Sequence, residues 1–468
     1  MRGSGSSVVR LICNTDVGVN NNKDLETIFA WSLHCSSSAI IQDVVSTEET
    51  RQQVVIGSGI PRGRGQSFGD ASLPDGGVAL AVSPNFELAR FSLNTESGLL
   101  TCPAGMSLSQ VLERIVPAGW VLPVVPGSSG ITIGGVVAAD GHGKNHYTNG
   151  SIADHVSSLE IMVASGEVLS ASRIILPDIF WATIGGLGLT GIILEVTLQL
   201  KTLISTQVIQ EVTPFGNLRE MLEIIEAKKS SNEFLLGTVD GGFGRRHKWR
   251  GVITTGTIAV VQGVGGSNHY PLRKVLNVPR LAKYAHLSNL ATWGLNKSIR
   301  FATRYLRKGE TDLNRFFFPQ DSLANWNRLF GLSGFVDYQF CIPINQCLSF
   351  VSELHIYLNK NSIKCFLVAV KRFRMTCSKN PLTFAQDGIS IALDIPLRRD
   401  TLRQLSELDD IVISYGGRVN LIKDARLSRS SFSRMYPRKD EWLEIKHKYD
   451  PDGRFRSKLS SRLGLNSA

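Results

Sequence analysis

The chain of 468 residues has only 7 cysteines, at positions 13, 35, 102, 341, 347, 365 and 377, and no two form a C-x-x-C pair. An odd, scattered set in so long a chain excludes a disulfide framework and a structural zinc site, so no metal is expected. Reduced thiols in a cytoplasm are the simplest account of it. Long apolar runs are absent as well. None reaches about 18 residues, so no membrane-spanning helix is expected. The polar start at 1–7 and the short apolar patch at 8–13 lack the length of a signal-peptide core, and secretion is not expected.

The most localised absence is of acid. From 241 to 309 there is no Asp or Glu, while the same 69 residues hold 13 Lys and Arg. The net charge of +11 therefore belongs to that segment, because the rest of the chain carries 38 basic against 40 acidic residues. Such an excess calls for an anionic partner, namely nucleic acid, a lipid surface or a phosphorylated substrate. Its confinement argues for one basic face. With 43% hydrophobic and 19% charged residues, the chain is not disordered, and its length suits two or three domains.

What is present changes in texture near 201. Before it, glycine-rich stretches alternate with short apolar runs. A helix is expected over 24–33, and strands over 54–60 and 77–82. The spacing of Leu108, Val111, Leu112 and Ile115 predicts a helix within 107–118. Strands are expected at 158–164 and 191–200, with a helix and glycine turn at 180–188 between them. After 201, strand-like runs at 252–264, 334–342, 364–370 and 389–395 alternate with helical runs at 218–227, 347–358 and 401–415. The order implies an α+β chain: a cofactor half over 1–200 and an antiparallel-sheet substrate half over 201–423. Gly and Arg return near the C-terminus, so 424–468 is expected to rejoin the first half. The acid-free stretch 241–309 would be a basic lid.

Three glycine-rich loops stand out. The first, 61–70 (PRGRGQSFGD), lets backbone approach a phosphate closely. It is not the Rossmann pattern, and alone a plain turn explains it equally well. The second, 126–135 (PGSSGITIGG), runs into Gly141-His142-Gly143-Lys144-Asn145-His146. It is not a Walker A loop either, since Ala138 stands where the first glycine belongs. The third is 185–193 (GGLGLTGII). Three such loops beside strands suit an extended dinucleotide.

These segments resemble the vanillyl-alcohol-oxidase-type FAD-binding family, and within it the decaprenylphosphoryl-β-D-ribose 2′-oxidases. The resemblance also rests on FVDYQFCIP (335–343), PLTF (381–384), GGRVNLIKD (416–424), MYPRKDEW (435–442) and DPDGRFRSKLSSRL (450–463). It spans about 61 to 463. The HGKNH and MYPR-x-DEW strings are specific to the subfamily, whereas the RGRG loop marks only the superfamily. The first 60 residues match poorly, and the helix before the RGRG loop looks shortened.

The resemblance implies a two-lobed FAD-binding domain and a second, antiparallel-sheet domain. It places Arg62, Gly63, Arg64, Gly65, Gln66, Ser67 and Phe68, with Pro126, Gly127 and Ser128, at the FAD pyrophosphate. It lines the rest of the flavin with Gly134, Gly135, Ala139, Asp140, Gly143, Lys144, Asn145 and His146, and puts Ile192 on the adenine side. Many relatives tether FAD through a histidine in the first loop. That loop here has none, so noncovalent FAD is expected. Lys423 and His142 match active-site positions: Lys423 would orient or deprotonate the substrate hydroxyl, a role open to a desolvated lysine. Alternatively, Lys423 only pairs with Asp424 or Asp394, and His142 only packs on the flavin. Gln339 and Lys371 match positions that hold the sugar. Four residues depart from the subfamily around the pocket: Phe68 replaces a Tyr, Asp337 a Gln, Ser390 an Asn and Asn420 a Tyr. Ala392 replaces the pocket cysteine. Asp337 and Ser390 count among the substrate residues.

On a helical wheel, Lys297, Arg300, Arg304, Arg307 and Lys308 fall within about 100° of arc, with Ile299, Ala302 and Leu306 opposite. That pattern suits peripheral contact with an anionic membrane on the cytoplasmic side, or a solvated surface loop. The expected activity is FAD-dependent oxidation of the 2-hydroxyl of a polyprenylphosphoryl pentose, with a separate NAD(P)H-dependent keto-reductase completing the epimerisation and no nucleic acid involved. An aldonolactone or sugar-alcohol oxidase is the second enzymatic reading. A basic binding protein without flavin is the third.

Overall fold

A computed structural model describes residues 25–83, 90–240, 249–260, 270, 275–279 and 308–466. The basic helical pattern at 296–307 lies outside the described residues, as does most of the expected lid.

The described residues begin with a four-stranded sheet. Its members are β1 (Glu26–Phe29), β2 (Ser36–Val44), β3 (Gly59–Arg62) and β4 (Val78–Val82), in the order β1-β2-β4-β3, with α1 (Thr47–Ile56) between β2 and β3. The helix expected over 24–33 is instead the strand β1. Thr27, Ile28 and Phe29 are β-branched or aromatic and pair with Ser38, Ser37 and Ser36 across a tight reversal at Leu33, whose φ is 66°. The strand expected over 54–60 is split. Ser46 caps α1 through the Glu49 N–H, so Val54 closes a helix, and the strand begins only after Gly57, at Gly59.

A five-stranded antiparallel sheet follows. It contains β5 (Ser92–Asn94), β6 (Leu99–Pro103), β7 (Val156–Met162), β8 (Val168–Ser172) and β9 (Ile192–Gln199), in the order β5-β6-β9-β7-β8. Between β6 and β7 run α2 (Leu108–Ile115) and the short α3 (Ile133–Ala138). The expected spacing holds in α2: Leu108, Val111, Leu112 and Ile115 are all buried, and Ser107 with Gln110 forms a capping box worth about 1 kcal/mol. The helix α4 (Pro177–Thr183) precedes the third glycine loop.

Among the described residues the largest sheet has eight antiparallel strands. They are β10 (Gln207–Phe215), β11 (Phe234–Val239), β12 (Gly251–Ile258), β13 (Lys308–Asp312), β14 (Phe335–Pro343), β15 (Val368–Phe373), β16 (Gly388–Pro396) and β17 (Arg418–Val419). Their order is β13-β10-β12-β11-β15-β16-β14-β17. Strand β15 starts four residues later than the run at 364–370 suggested, which brings Lys371 and Phe373 into the ladder.

Successive residues of a strand face opposite ways, so each strand sorts its side chains. Tyr338, Phe340, Val370, Ile391 and Leu393 enter an apolar core with Met221 and Ile225 of α5 (Leu218–Lys228), Leu354 and Leu358 of α6 (Cys347–Lys360), and Leu405 and Leu408 of α7 (Thr401–Ser414). The opposite face carries Asp337, Gln339, Lys371, Ser390 and Asp394. The C-terminal segment returns to the first sheet. Gly59 exchanges backbone hydrogen bonds with Arg454 and Arg456, Arg462 pairs with Asp70 at 2.9 Å, and Trp442 donates to the Ala182 carbonyl at 3.0 Å. No helix among the described residues is long and apolar enough to cross a membrane.

Candidate active site

The first two glycine loops lie against each other, and a Cβ on Gly130 would fall 2.5 Å from Gln66 Nε2. Ser128 Oγ donates to Gln66 Oε1 at 3.0 Å and so joins the second loop to the first. A Cβ on Gly63 would lie 2.5 Å from Thr132 Oγ1, whereas one on Gly127 would meet nothing within 4 Å. The first loop is thus packed down on the start of α3, and the backbone of the second borders open space. Gly63, Arg64 and Gly127 are exposed. Farther along the second loop, Asn145 Oδ1 and His146 Nε2 are buried without partners among the described residues. Bare backbone beside open space and stranded polar atoms farther in are what an elongated, polar, phosphate-bearing cofactor requires, so these residues fit FAD.

The segment that follows the second loop meets the polar face of the large sheet. His142 sits at the junction, with Gln339 Nε2 3.2 Å from its Nε2 and Lys371 Nζ 3.4 Å from its Nδ1. The Phe373 ring approaches His142 edge-on at 4.8 Å and stacks on His146 at 3.8 Å. Gln339 is held from two further sides: its Nε2 donates to Ser390 Oγ at 2.9 Å, and its Oε1 accepts from Asn420 Nδ2 at 3.0 Å. On the neighbouring turn Lys423 Nζ pairs with Asp337 Oδ2 at 2.5 Å and lies 5.0 Å above the Phe68 ring. The counter-charge of Lys423 is thus neither Asp424 nor Asp394.

Desolvation and like charges set the ionisation here. Burial, helped by Lys423 and Lys144, pushes Lys371 down to about 7. Burial alone pushes Lys144 down to about 7; its ammonium donates to the Phe316 carbonyl and lies 4.7 Å over the Phe316 ring. Burial and then Lys371 hold His142 well below its ordinary value and bring His146 to about 3. Asp394, opposite Asp337 in the ladder, is held well above the carboxylate range by burial and then by Asp337.

The structure gathers Lys423, His142, Gln339, Lys371, Asp337, Ser390, Lys144 and His146 around one pocket. Other residues named from the sequence sit differently. The Arg62 guanidinium braces Phe29 and Ser72 through their carbonyls. Asp140, with φ 44°, accepts from the Ala153 N–H and from Thr383 Oγ1, and burial raises its carboxyl to about 6. Ile192 is enclosed by Val44, Leu80 and Phe455 in a small core. Sequence reasoning missed Phe316 and Phe373. Their signal, an aromatic run at 316–318 and an alternating strand, is shared by ordinary core residues. His146 Nδ1 accepts from the Arg374 N–H, which ties the HGKNH loop to β15.

Residues 33–172 match the FAD binding domain family. Over 422 residues the chain is 32% identical to decaprenylphosphoryl-β-D-ribose oxidase of Mycolicibacterium smegmatis, covering 87% of this chain and 89% of that protein. It is 22% identical over 380 residues to L-gulonolactone oxidase of Scyliorhinus torazame, covering 78% and 80% of the two chains. With L-gulonolactone oxidase of Mus musculus it shares 23% over 418 residues, covering 84% and 86%.

Proposed function

The chain belongs to the vanillyl-alcohol-oxidase-type FAD oxidoreductases, in the family of decaprenylphosphoryl-β-D-ribose oxidase, and we propose that it oxidises the 2-hydroxyl of a polyprenylphosphoryl pentose to a ketone. It is an FAD-dependent oxidoreductase acting on CH–OH groups. The observation that carries the finer reading is the likeness to decaprenylphosphoryl-β-D-ribose oxidase, 32% identical over 87% of this chain and 89% of that protein, against 22% and 23% for the two L-gulonolactone oxidases.

The bound flavin supplies the hydride acceptor. The chain's own residues do the rest. Lys423, fixed by Asp337 and stacked over Phe68, orients the hydroxyl. Gln339 and Ser390 present further polar atoms to the sugar. Phe68, Phe373 and Phe384 keep water from the reacting carbon. The first glycine loop has no histidine to form a covalent link, which supports noncovalent FAD. A ketone product requires a separate reductase to complete an epimerisation of the kind that supplies arabinose to cell-wall glycans. The acid-free stretch 241–309 supports a peripheral, cytoplasmic-side membrane contact.

Anaerobic mixing tests the reading. A prenylphosphoryl ribose should bleach the flavin, and free aldonolactones should not. Bleaching by an aldonolactone alone would favour the second reading, which the L-gulonolactone oxidases support. A colourless protein that releases no flavin on acid precipitation would exclude both.

A further inference from the structure

The donors and acceptors around His142 can be assigned in sequence from one fixed point. The Ile422 backbone N–H can only donate, and it faces Asn420 Oδ1 at 3.3 Å. The amide nitrogen of Asn420 is therefore the atom turned to Gln339, donating to Oε1 at 3.0 Å. That orients Gln339, whose Nε2 faces His142 Nε2 at 3.2 Å and Ser390 Oγ at 2.9 Å. An amide nitrogen only donates, so His142 Nε2 accepts. A neutral imidazole has one proton, and it must sit on Nδ1. Nδ1 faces Lys371 Nζ at 3.4 Å. An ammonium there would set N–H against N–H, whereas an amine offers its lone pair.

We propose that Lys371 is available in the pocket as an uncharged amine around neutral pH and is the group that takes the proton of the substrate hydroxyl. Asn420 and Gln339 are positioning residues that hold His142 in the tautomer this requires. The surroundings agree. The groups facing Lys371 are His142 and Lys144 from the loop after α3, His146, Lys423 from the turn Leu421–Lys423, and Asp337 from β14; β16 offers only Ser390 opposite it. The one carboxylate in that set is already engaged by Lys423. Among the described residues no carboxylate forms an ion pair with Lys371. The desolvation that brings Lys371 to about 7 acts in the same direction.

In the reaction the substrate hydroxyl displaces the His142 Nδ1–H from the Nζ lone pair, the O–H bond breaks and its proton joins that lone pair to give an ammonium. The C–H bond electrons would leave with the hydrogen as hydride to the acceptor that bound FAD supplies, and the carbon–oxygen double bond would form. The substrate in this step rests on the reading proposed above; the ionisation state of Lys371 does not. The division of labour separates the two lysines: Lys423 orients as a cation beside Asp337, and Lys371 accepts the proton.

Two spectroscopic measurements on the FAD-loaded enzyme test this without turnover. Reductive methylation with [13C]formaldehyde gives each lysine a resonance, and Lys371→Arg assigns that of Lys371; Lys371→Gln serves if the first variant folds poorly. The Lys371 signal should titrate near pH 7, and 15N spectra should place the His142 proton on Nδ1. Titration near an ordinary lysine value of about 10, or a proton on Nε2, would overturn the proposal. Asn420→Asp can no longer donate to Gln339, so the Gln339 amide should turn over, the His142 proton should move to Nε2 and the Lys371 titration should rise by about one pH unit or more. An added negative charge alone would shift the titration but leave the tautomer, and that result would also count against the relay. If prenylphosphoryl ribose fails to bleach the flavin while both signals behave as stated, the substrate reading falls and the amine stands.

Discussion

The two ends of the pocket hold the same side chain in opposite surroundings. At one end Lys423 meets the Asp337 carboxylate at 2.5 Å, with an aromatic face below it. At the other, Lys371 meets an imidazole nitrogen at 3.4 Å and is repelled by two further lysines. The backbone places both toward the same face of one sheet. What differs is which residue each neighbouring strand or turn sets beside them. A lysine in a flavin pocket therefore cannot be assigned a role from its residue type; the partner decides whether it stays a cation or becomes an amine.

The sharpest way to break the comparison is to remove the amine. Lys371→Met should slow single-turnover flavin reduction at pH 7.5 by about 10²–10⁴-fold, the usual range for loss of a positioned base, with FAD content unchanged. Stopped-flow absorbance would read both. A loss of less than tenfold would put the base elsewhere. The charged end depends on close packing. A Cβ on Gly69 would lie 1.9 Å from the carbonyl oxygen of Asp424, next to Lys423, so Gly69→Ala should destabilise the fold by about 3 kcal/mol. Chemical denaturation would measure it.

The uncharged end also shows in stability against pH. Lys371 is depressed from 10.5 in the unfolded chain to about 7 in the folded one. Between those values the unfolded chain binds the extra proton, so this group adds stability as pH rises through the window and loses it as pH falls toward 7. Wild type should therefore gain on Lys371→Met by up to about 1.4 kcal/mol per pH unit from pH 7 to 9, because the difference cancels groups common to both. Parallel melting temperatures across that range would contradict the assignment. The smallest effect belongs to the exposed second loop. Gly127→Ala meets nothing within 4 Å, so apo stability should stay within about 0.5 kcal/mol while FAD affinity drops. Unchanged FAD affinity would move the pyrophosphate away from that loop.

The parts of the fold governed by local pattern were legible in the sequence. The period-two strands β14 and β16, the capped helix α2 and the three glycine loops can all be read from neighbours a few residues apart. Short segments fared worse. Residues 24–33 carry enough apolar spacing for a helix, and only pairing with β2 makes β1 a strand. Val54 belongs to a helix because Ser46, eight residues earlier, caps it. The resemblance supplied the residues of the pocket but not their pairing. The partner of Lys423 lies 86 residues away on another strand, so Asp424 and Asp394 were the nearer guesses. The relay through Asn420, Gln339 and His142 joins three distant segments and has no signature in any one of them.

The pH dependence of flavin reduction at saturating substrate tests the central claim most directly, run in parallel on wild type, Lys371→Met and Lys423→Met. The wild-type rate should rise with pH to a plateau through one ionisation near 7, Lys423→Met should be slower and keep that ionisation at a higher pH, and Lys371→Met should lose it. An ionisation that persists in Lys371→Met and vanishes in Lys423→Met would show the two lysines to be assigned the wrong way round.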